Sequence, residues 1–230
     1  MQHTPARMGK PGFFRARVAR FADYLRSLLT SEEEGSGAGA DPVLVRILLV
    51  YALVQLAGAL WDLPGDHGWE NDGIAPRGVF SGLSGNLTPG SAYRYPLLHF
   101  VLSLIVSLPA LLLTPIVAGG FQGKALYAAG QSAVVMTGIS LAVKALSIAM
   151  SVLGILALAA FARRTVDQRA ARLTALFCAL NMTFAFYARS SNLDVPYLVW
   201  AALPLERLSL GDQGTQEEHV RRYVQMGVLG

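Results

Sequence analysis

The chain has 230 residues, of which 53% are hydrophobic and only 15% are charged, and its mean hydropathy is +0.43. Soluble domains are nearer a quarter charged, so this composition argues against a soluble globular domain. The net charge of +4 does not indicate nucleic-acid binding, because the basic residues fall where the positive-inside rule places them in a membrane protein. A single cysteine, Cys178, excludes an intramolecular disulfide.

The strongest pattern is a series of long stretches without Asp, Glu, Lys or Arg. Each is close to the roughly 20 residues that cross the hydrocarbon core as a helix. One such run could be a buried soluble helix, but four in succession predict an all-α fold, a polytopic transmembrane helical bundle. The four stretches are 95–123, 125–143, 145–162 and 173–188.

Residues 1–42 are predicted to form a basic cytoplasmic tail and a flexible linker. From Val18 onward the spacing of arginines and apolar residues suits an amphipathic helix on an anionic membrane surface. It suits equally a tail that only sets orientation. Residues 31–40 read as a flexible acidic linker. No apolar core precedes Leu44, so the N-terminus is not a cleavable signal peptide.

The predicted membrane region covers residues 43–230. Its first span, 43–61, ends at Trp61, a residue typical of the outer interface, so the long loop 62–96 is expected outside the cytoplasm. The basic turn that begins at Arg163 should lie inside. The segments after it are then an outward span over 172–188, an outer loop over 189–194, an inward span over 195–210 and a cytoplasmic segment over 211–222.

The middle of the chain allows two topologies. In the first, three crossings follow the loop. In the second, one long helix covers about 126–162, and the run before it is broken at Pro109 and Pro115 and returns to the side from which it entered. Both place Lys144 near the outer face. The chain then has five or six crossings, or fewer if the prolines turn it.

Three groups of polar residues are predicted to meet at the outer face. A carboxylate can take a proton from a hydroxyl, and cations can hold a phosphate. Together they could move a group from a lipid phosphate to an acceptor outside the cytoplasm. The groups are Glu70 with Asp72; Tyr93, Arg94, Tyr95 and His99; and Arg189 with Asp194, and Lys144 is placed to join them.

Several of these residues also have a structural interpretation. Asp62 and Asp66 fit solvated loop positions better than catalytic ones. A histidine at a helix start, such as His99, is more often packed or capping than functional. Lys144 fits a snorkelling lysine equally well. No cluster of His and Cys indicates zinc, so no resident metal is expected, and a divalent cation held by Asp72 and Asp194 stays open as a minor alternative.

The order of these motifs resembles the GT-C superfamily of polytopic glycosyltransferases, and most closely the protein O-mannosyltransferase and aminoarabinose transferase type. The resemblance covers roughly residues 43–230. It implies a polyprenyl-phosphate-linked sugar donor, membrane lipids as surroundings, an extracytoplasmic acceptor and a place in the bacterial cytoplasmic membrane. The motifs are the acidic first outer loop, Tyr-Pro-Leu-Leu-His at 95–99, Ala-Arg-Arg at 162–164, and Tyr-Ala-Arg-x-x-x-Leu-Asp-Val-Pro at 187–196.

In this resemblance Asp72 matches the catalytic acid of the first outer loop. The family often has adjacent acids there, whereas Asn71 precedes Asp72 in this chain, so the assignment between Glu70 and Asp72 stays open. Tyr95 and the residues after it match the family's Tyr-Pro-Pro or His-Pro-Pro turn with one proline lost.

The remaining matches concern the lipid phosphate and the second outer loop. Lys144 stands where the family usually has an arginine near that phosphate. Asp194 matches the acid of the second outer loop, and Arg189 matches its upstream basic partner. Arg94 is assigned to the phosphate, and Tyr95 and His99 are assigned to substrate binding.

The resemblance therefore implies an inverting glycosyltransferase that takes a sugar from a polyprenyl phosphate. Family members are longer, and residues 221–230 look like the opening of another span, so a truncated product is expected. Two alternatives come from other classes. One is a transporter segment whose carboxylates bind ions, and the other is a non-catalytic membrane subunit.

Overall fold

The computed structural model describes residues 12–30, 40–61, 63, 97–130, 132–190 and 194–209, and within these ranges the chain is helical without a named β-strand. The predicted all-α class is therefore confirmed for this part of the chain. The helices are α1 Gly12–Leu29, α2 Pro42–Ala59, α3 Leu97–Leu112, α4 Thr114–Ala118, α5 Gly123–Gly130, α6 Ala133–Thr165, α7 Gln168–Leu180, α8 Met182–Ala188 and α9 Asp194–Leu208.

Three helical stretches among the described residues are long and apolar enough to cross a membrane: Pro42–Ala59, Leu98–Ala118 and Ala133–Thr165. A fourth span results if α7 and α8, which are bent by 69° relative to each other, count as one. The described residues therefore have the character of a helical membrane protein, with three or four candidate spans, whereas the sequence predicted five or six crossings, or fewer if the prolines turn the chain. Helix α9 has 15 residues and extends about 22 Å, which is short for a hydrocarbon core of about 30 Å.

Helix α6 passes through Lys144 without a break, as the second of the two topologies requires. It begins at Ala133 instead of about 126, because Ser132 is its N-cap and its side chain accepts a hydrogen bond from the backbone N–H of Val135. A capping serine satisfies one of the backbone donors that the first turn leaves without a partner. The helix then continues for 33 residues to Thr165.

The expected break at Pro109 is wrong, because Pro109 lies inside α3 and the helix continues to Leu112. The interruption comes at Leu113, and Pro115 then occupies the first turn of α4. A proline is well tolerated there because the first turn does not use its backbone N–H in the helix. Gly119 ends α4 in the left-handed conformation, with φ of 69°.

The described helices pack around α6. Helices α2, α7 and α9 lie along its C-terminal part, and α3 lies against its N-terminal part. Small residues allow close approach, as is typical of helix packing in membranes: a Cβ at Gly138 would lie 3.0 Å from the Cβ of Ala110, and one at Gly154 would lie 3.1 Å from Val199. The largest buried cluster includes Leu44, Leu48, Tyr51, Ile155, Ala159, Ala160, Ala171 and Ala175.

An ion pair joins the start of α2 to the start of α7. Asp41, which is 4% exposed, caps α2 by accepting from the backbone N–H of Val43 at 2.9 Å, and it also accepts from Nε of Arg172 at 2.8 Å. The side chain of Gln168 donates to the same carboxylate. Burial alone would raise the pKa of Asp41, but the hydrogen bonds from Arg172, Val43 and Gln168 outweigh it and lower the pKa.

A second buried carboxylate holds α1 to the bundle. Glu206 on α9 is fully buried, and it accepts hydrogen bonds from the hydroxyl of Tyr24 at 3.0 Å and from the guanidinium of Arg164. The guanidinium of Arg207 lies over the ring of Tyr24, 4.1 Å from its centre. Burial and the charge of Glu206 raise the pKa of the Tyr24 phenol. The C-terminal half of α1 therefore belongs to the packed bundle.

Candidate functional site

The predicted lysine lies at the C-terminal end of α2. Lys144 is only 2% exposed, and its Nζ donates a hydrogen bond to the carbonyl oxygen of Trp61 at 2.8 Å. Trp61 directly follows Leu60, the C-cap of α2, and the C-terminal end of a helix is the negative end of its dipole, so a cation is favourable there. Lys144 is thus at the same end of the bundle as Trp61, where loop 62–96 begins.

The predicted arginine reaches the same end of α2. Arg189 follows α8 and packs its side chain on Gly58, where a Cβ would lie 2.7 Å from Cδ of Arg189 and 3.0 Å from one of its terminal nitrogens. Its guanidinium also lies over the ring of Phe186, 5.9 Å from the centre. Arg189 can occupy this place only because residue 58 has no side chain.

Two cations that are distant in sequence therefore meet the last turn of α2. Lys144 comes from the middle of α6, and Arg189 comes from the short connection before α9. Their contacts are with Trp61 and Gly58, which are neighbours across one helical turn. The sequence-based expectation that Lys144 joins Arg189 at the outer face stays a prediction, and both side chains contact residues at the C-terminal end of α2.

The other predicted site residues have different outcomes. Asp194 is the first residue of α9 and follows Arg189 closely in the sequence. Its side chain lies outside the described set. Five more residues also lie outside the described residues, so their roles stay predictions: Glu70, Asp72, Tyr93, Arg94 and Tyr95.

His99 is placed in the first turn of α3 and is fully buried. Its Nε2 lies 3.4 Å from Oγ of Ser103, and its Nδ1 has no hydrogen-bond partner in the part of the chain that the structure describes. Ser107 follows on the same face and donates to the carbonyl of Ser103 at 2.7 Å. These contacts support the packed interpretation of His99, and they do not join it to the pair formed by Lys144 and Arg189.

An apolar groove leads away from Arg189 along α2. It has a volume of about 460 Å³ and lies between α2 and the bent pair α7 and α8. Arg46 lines one end and Arg189 the other, and the walls between them are mainly aliphatic, with Val50 and Val54 from α2 and Leu176 and Leu180 from α7. The arrangement can hold a chain of apolar atoms with an anionic group at one end.

The sequence analysis missed three residues that build this region, and two of them had a detectable signal. Gly58 had none, because its role depends on a contact with a residue far along the chain. Asp41 precedes Pro42, and an acidic residue before a proline at a helix start is a recognisable capping pattern. Asn181 accepts from the backbone N–H of Phe184 at 2.8 Å and so starts α8. This cap explains the bend between α7 and α8, whereas the sequence analysis predicted one straight span over 172–188.

No metal centre is evident in the described residues, since no group of three or more His, Cys, Asp or Glu side chains comes together there. The alternative of a divalent cation shared by Asp72 and Asp194 concerns a residue outside the described ranges and stays a prediction. No protein-family model matches the sequence, and neither the curated proteins nor the solved structures contain a significant match.

Proposed function

We propose that this protein is an integral-membrane glycosyltransferase of the GT-C type, which moves a sugar from a polyprenyl phosphate to an acceptor outside the cytoplasm, in the bacterial cytoplasmic membrane. The observation that carries the proposal is the meeting of Lys144 and Arg189 at the last turn of α2. This turn leads directly into loop 62–96, which contains the predicted acids Glu70 and Asp72. In this proposal the phosphate site therefore lies at the point where the loop that contains the candidate base begins.

In this proposal the two cations have different tasks. Arg189 is half-buried, and its planar guanidinium can donate two parallel hydrogen bonds to a phosphate. Lys144 is almost completely buried and already donates to the carbonyl of Trp61. It therefore adds positive charge behind the site and fixes the end of α2, while Arg189 contacts the phosphate.

The apolar groove beside Arg189 supports a lipid-linked donor. A sugar phosphate without a lipid needs no apolar binding surface, whereas a polyprenyl chain does. The groove of about 460 Å³ begins at Arg189 and runs between α2 and α7, so a phosphate at Arg189 would place the first isoprene units along Val54 and Leu180. Carriers of this kind bind mainly through buried apolar area.

The chemical step requires one base and one leaving group. The hydroxyl oxygen of the acceptor attacks the anomeric carbon of the sugar while the bond from that carbon to the phosphate oxygen breaks. The electron pair of the broken bond stays on the phosphate, next to Arg189. The proton of the hydroxyl passes to Asp72 or Glu70, and the attack from the opposite side inverts the configuration at the anomeric carbon.

The proposal is tested by transfer of labelled sugar from a polyprenyl-phosphate donor in membranes that contain the full chain. Asp72→Asn keeps the size of the side chain and removes the basic oxygen, so it should lower transfer by roughly a hundred- to ten-thousand-fold with nearly unchanged donor binding. Glu70→Gln should cost less. Asp66→Asn is the matched control in the same loop and should transfer normally.

Other outcomes have definite meanings. If Glu70→Gln is inactive and Asp72→Asn is active, the two acids exchange roles. If both variants transfer sugar at the rate of the unchanged protein, loop 62–96 is not catalytic and the glycosyltransferase proposal fails. Membranes that bind the donor but never transfer its sugar would favour the non-catalytic membrane subunit.

A further inference from the structure

The face of α6 that meets α2 carries a row of buried polar side chains, Lys144, Ser147 and Ser151. They are spaced three or four residues apart, so they share one side of the helix, and none is more than 2% exposed. At one end of the row Lys144 donates to the carbonyl of Trp61. At the other end the hydroxyl of Ser151 lies beside that of Tyr51 in α2. Ser147, between these two contacts, therefore faces α2 as well.

Helix α2 presents two buried polar side chains to this row. Tyr51 is 4% exposed and Gln55 is 2% exposed, and the spacing of four residues places them one above the other on the same face. The two helices run in opposite directions. The C-terminal end of α2 contacts Lys144, whereas Asp41 at its N-terminal end pairs with Arg172, which follows the C-terminal end of α6 in the sequence.

Gln55 and Ser147 lie at the same level of this interface. Gln55 follows Tyr51 by four residues, and Ser147 precedes Ser151 by four, so in antiparallel helices both are one turn above the contact of Tyr51 with Ser151. The oxygen of the Gln55 amide, the hydroxyl of Ser147 and the hydroxyl of Tyr51 have no hydrogen-bond partner among the residues that the structure describes. An unpaired polar group is costly inside an apolar bundle. Three of them in one place indicate a ligand that bonds to all three.

We propose that an internal water molecule binds between α2 and α6, held by Gln55, Ser147 and Tyr51. Buried water typically makes about three hydrogen bonds to such groups. It can donate to the amide oxygen of Gln55 and accept from a hydroxyl, and because it both donates and accepts, it fits either orientation of the amide. A larger ligand would need accessible side chains, whereas at most 4% of each of these is exposed. This inference does not depend on the proposed transferase activity.

The water is detected by X-ray radiolysis of the full chain in detergent, which forms hydroxyl radicals from bound water and oxidises the side chains next to it. Tyr51 should be oxidised although it is 4% exposed. Met150 is the comparison in the same sample, because it is 6% exposed and belongs to an apolar cluster between α6 and α9, and methionine is readily oxidised. Protection of Tyr51, or equal oxidation of Tyr51 and Met150, would overturn the proposal.

A double variant tests which side chains hold the water. Gln55→Leu with Ser147→Ala removes two of the three partners, so oxidation of Tyr51 should fall to the level of Met150. Replacing both polar partners by apolar groups costs little stability, and thermal unfolding checks that the variant is folded. The matched control is Ser107→Ala, which removes a buried hydroxyl that donates to a backbone carbonyl in α3. Continued oxidation of Tyr51 in the double variant, or an equal loss in the control, would overturn the assignment.

A shared water also couples Gln55 and Ser147 energetically. Gln55→Leu alone and Ser147→Ala alone each leave the other side chain with a weakened partner, so the two single losses in unfolding temperature should together exceed the loss in the double variant. Additive losses would show that the two side chains share no ligand. A direct hydrogen bond between them would also give coupling, but Tyr51 would then be protected from oxidation, which would overturn the proposal.

Discussion

Gly58 and Arg189 fit together so closely that a Cβ on residue 58 would lie 2.7 Å from Cδ of Arg189. The atoms that would meet this Cβ belong to a flexible side chain, and none of the three nearest is backbone. A larger residue at 58 would therefore move the arginine and leave the helices in place. A substitution at residue 58 should therefore change the position of the Arg189 guanidinium without lowering the stability of the fold.

The first prediction follows from that contact. Gly58→Ala should weaken donor binding, because it displaces the guanidinium of Arg189 from the end of α2. The thermal stability should stay constant or rise, since alanine favours a helix over glycine by about 1 kcal/mol. Binding of a short-chain polyprenyl phosphate and thermal unfolding in detergent measure the two effects. Gly123→Ala is the control, because a Cβ there would have no neighbour within 4 Å. If Gly58→Ala lowered both donor binding and thermal stability, the prediction would be wrong.

The second prediction concerns the buried lysine. Lys144→Ala should weaken use of the lipid donor more than Lys144→Arg, because the phosphate needs a cation at this place. We expect the donor KM of the alanine variant to rise by up to about tenfold, because a cation that stands behind the phosphate without contacting it contributes less than one charge-assisted hydrogen bond. Because Lys144 is 2% exposed, the larger arginine should not restore full activity. An unchanged donor KM and rate in Lys144→Ala would make Lys144 a structural residue of the α2 end.

The third prediction is topological. Loop 62–96 and the segment 189–194 should lie on the same, non-cytoplasmic side, since the positive-inside rule places the basic turn at the end of α6 on the other. Single cysteines at Ser84 and Ser191, in a Cys178→Ala background, should both react with an impermeant thiol reagent added from outside the cell. Reaction of the two cysteines from opposite sides would disprove the shared face.

The fourth prediction concerns pH and Asp41. Because the folded state lowers the pKa of Asp41, its contribution to stability is present above the unfolded pKa of about 3.9 and is lost as the pH falls through the lower folded value. The unfolding temperature should therefore decline as the pH falls below about 5, and Asp41→Asn should flatten this decline, since asparagine can still cap α2. Asp23→Asn changes an exposed carboxylate and should retain the steep profile.

The sequence predicted those parts of the fold that depend on local composition. The charge-free runs predicted apolar helices, and the absence of a breaker at Lys144 predicted the continuous helix that α6 forms. Trp61 marked the end of the first span because tryptophan favours the membrane interface. Such features depend on a window of neighbouring residues, so one sequence is sufficient to find them.

Features that depend on register between distant segments could not be predicted in this way. The contact of Gly58 with Arg189 and the pairing of Glu206 with Arg164 join residues that are far apart in the sequence. Pro109 was expected to end a helix, but α3 continues for three more residues to Leu112. The bend at Asn181 could have been predicted locally, since asparagine is a favoured N-cap. It was not, because the apolar residues on both sides favoured one continuous span.

The length of α6 can be compared with the thickness of the hydrocarbon core. From Lys144 to Arg163 the helix rises about 28 Å, which nearly equals a hydrocarbon core of about 30 Å. The whole helix, from Ala133 to Thr165, is about 50 Å long, and a tilt within the usual limit of about 40° cannot place all of it in the core. If the basic turn lies at the cytoplasmic surface, as the positive-inside rule predicts, the end of α2 that Lys144 contacts would lie near the opposite surface, and its depth below the lipid headgroups would increase in a thicker bilayer and decrease in a thinner one.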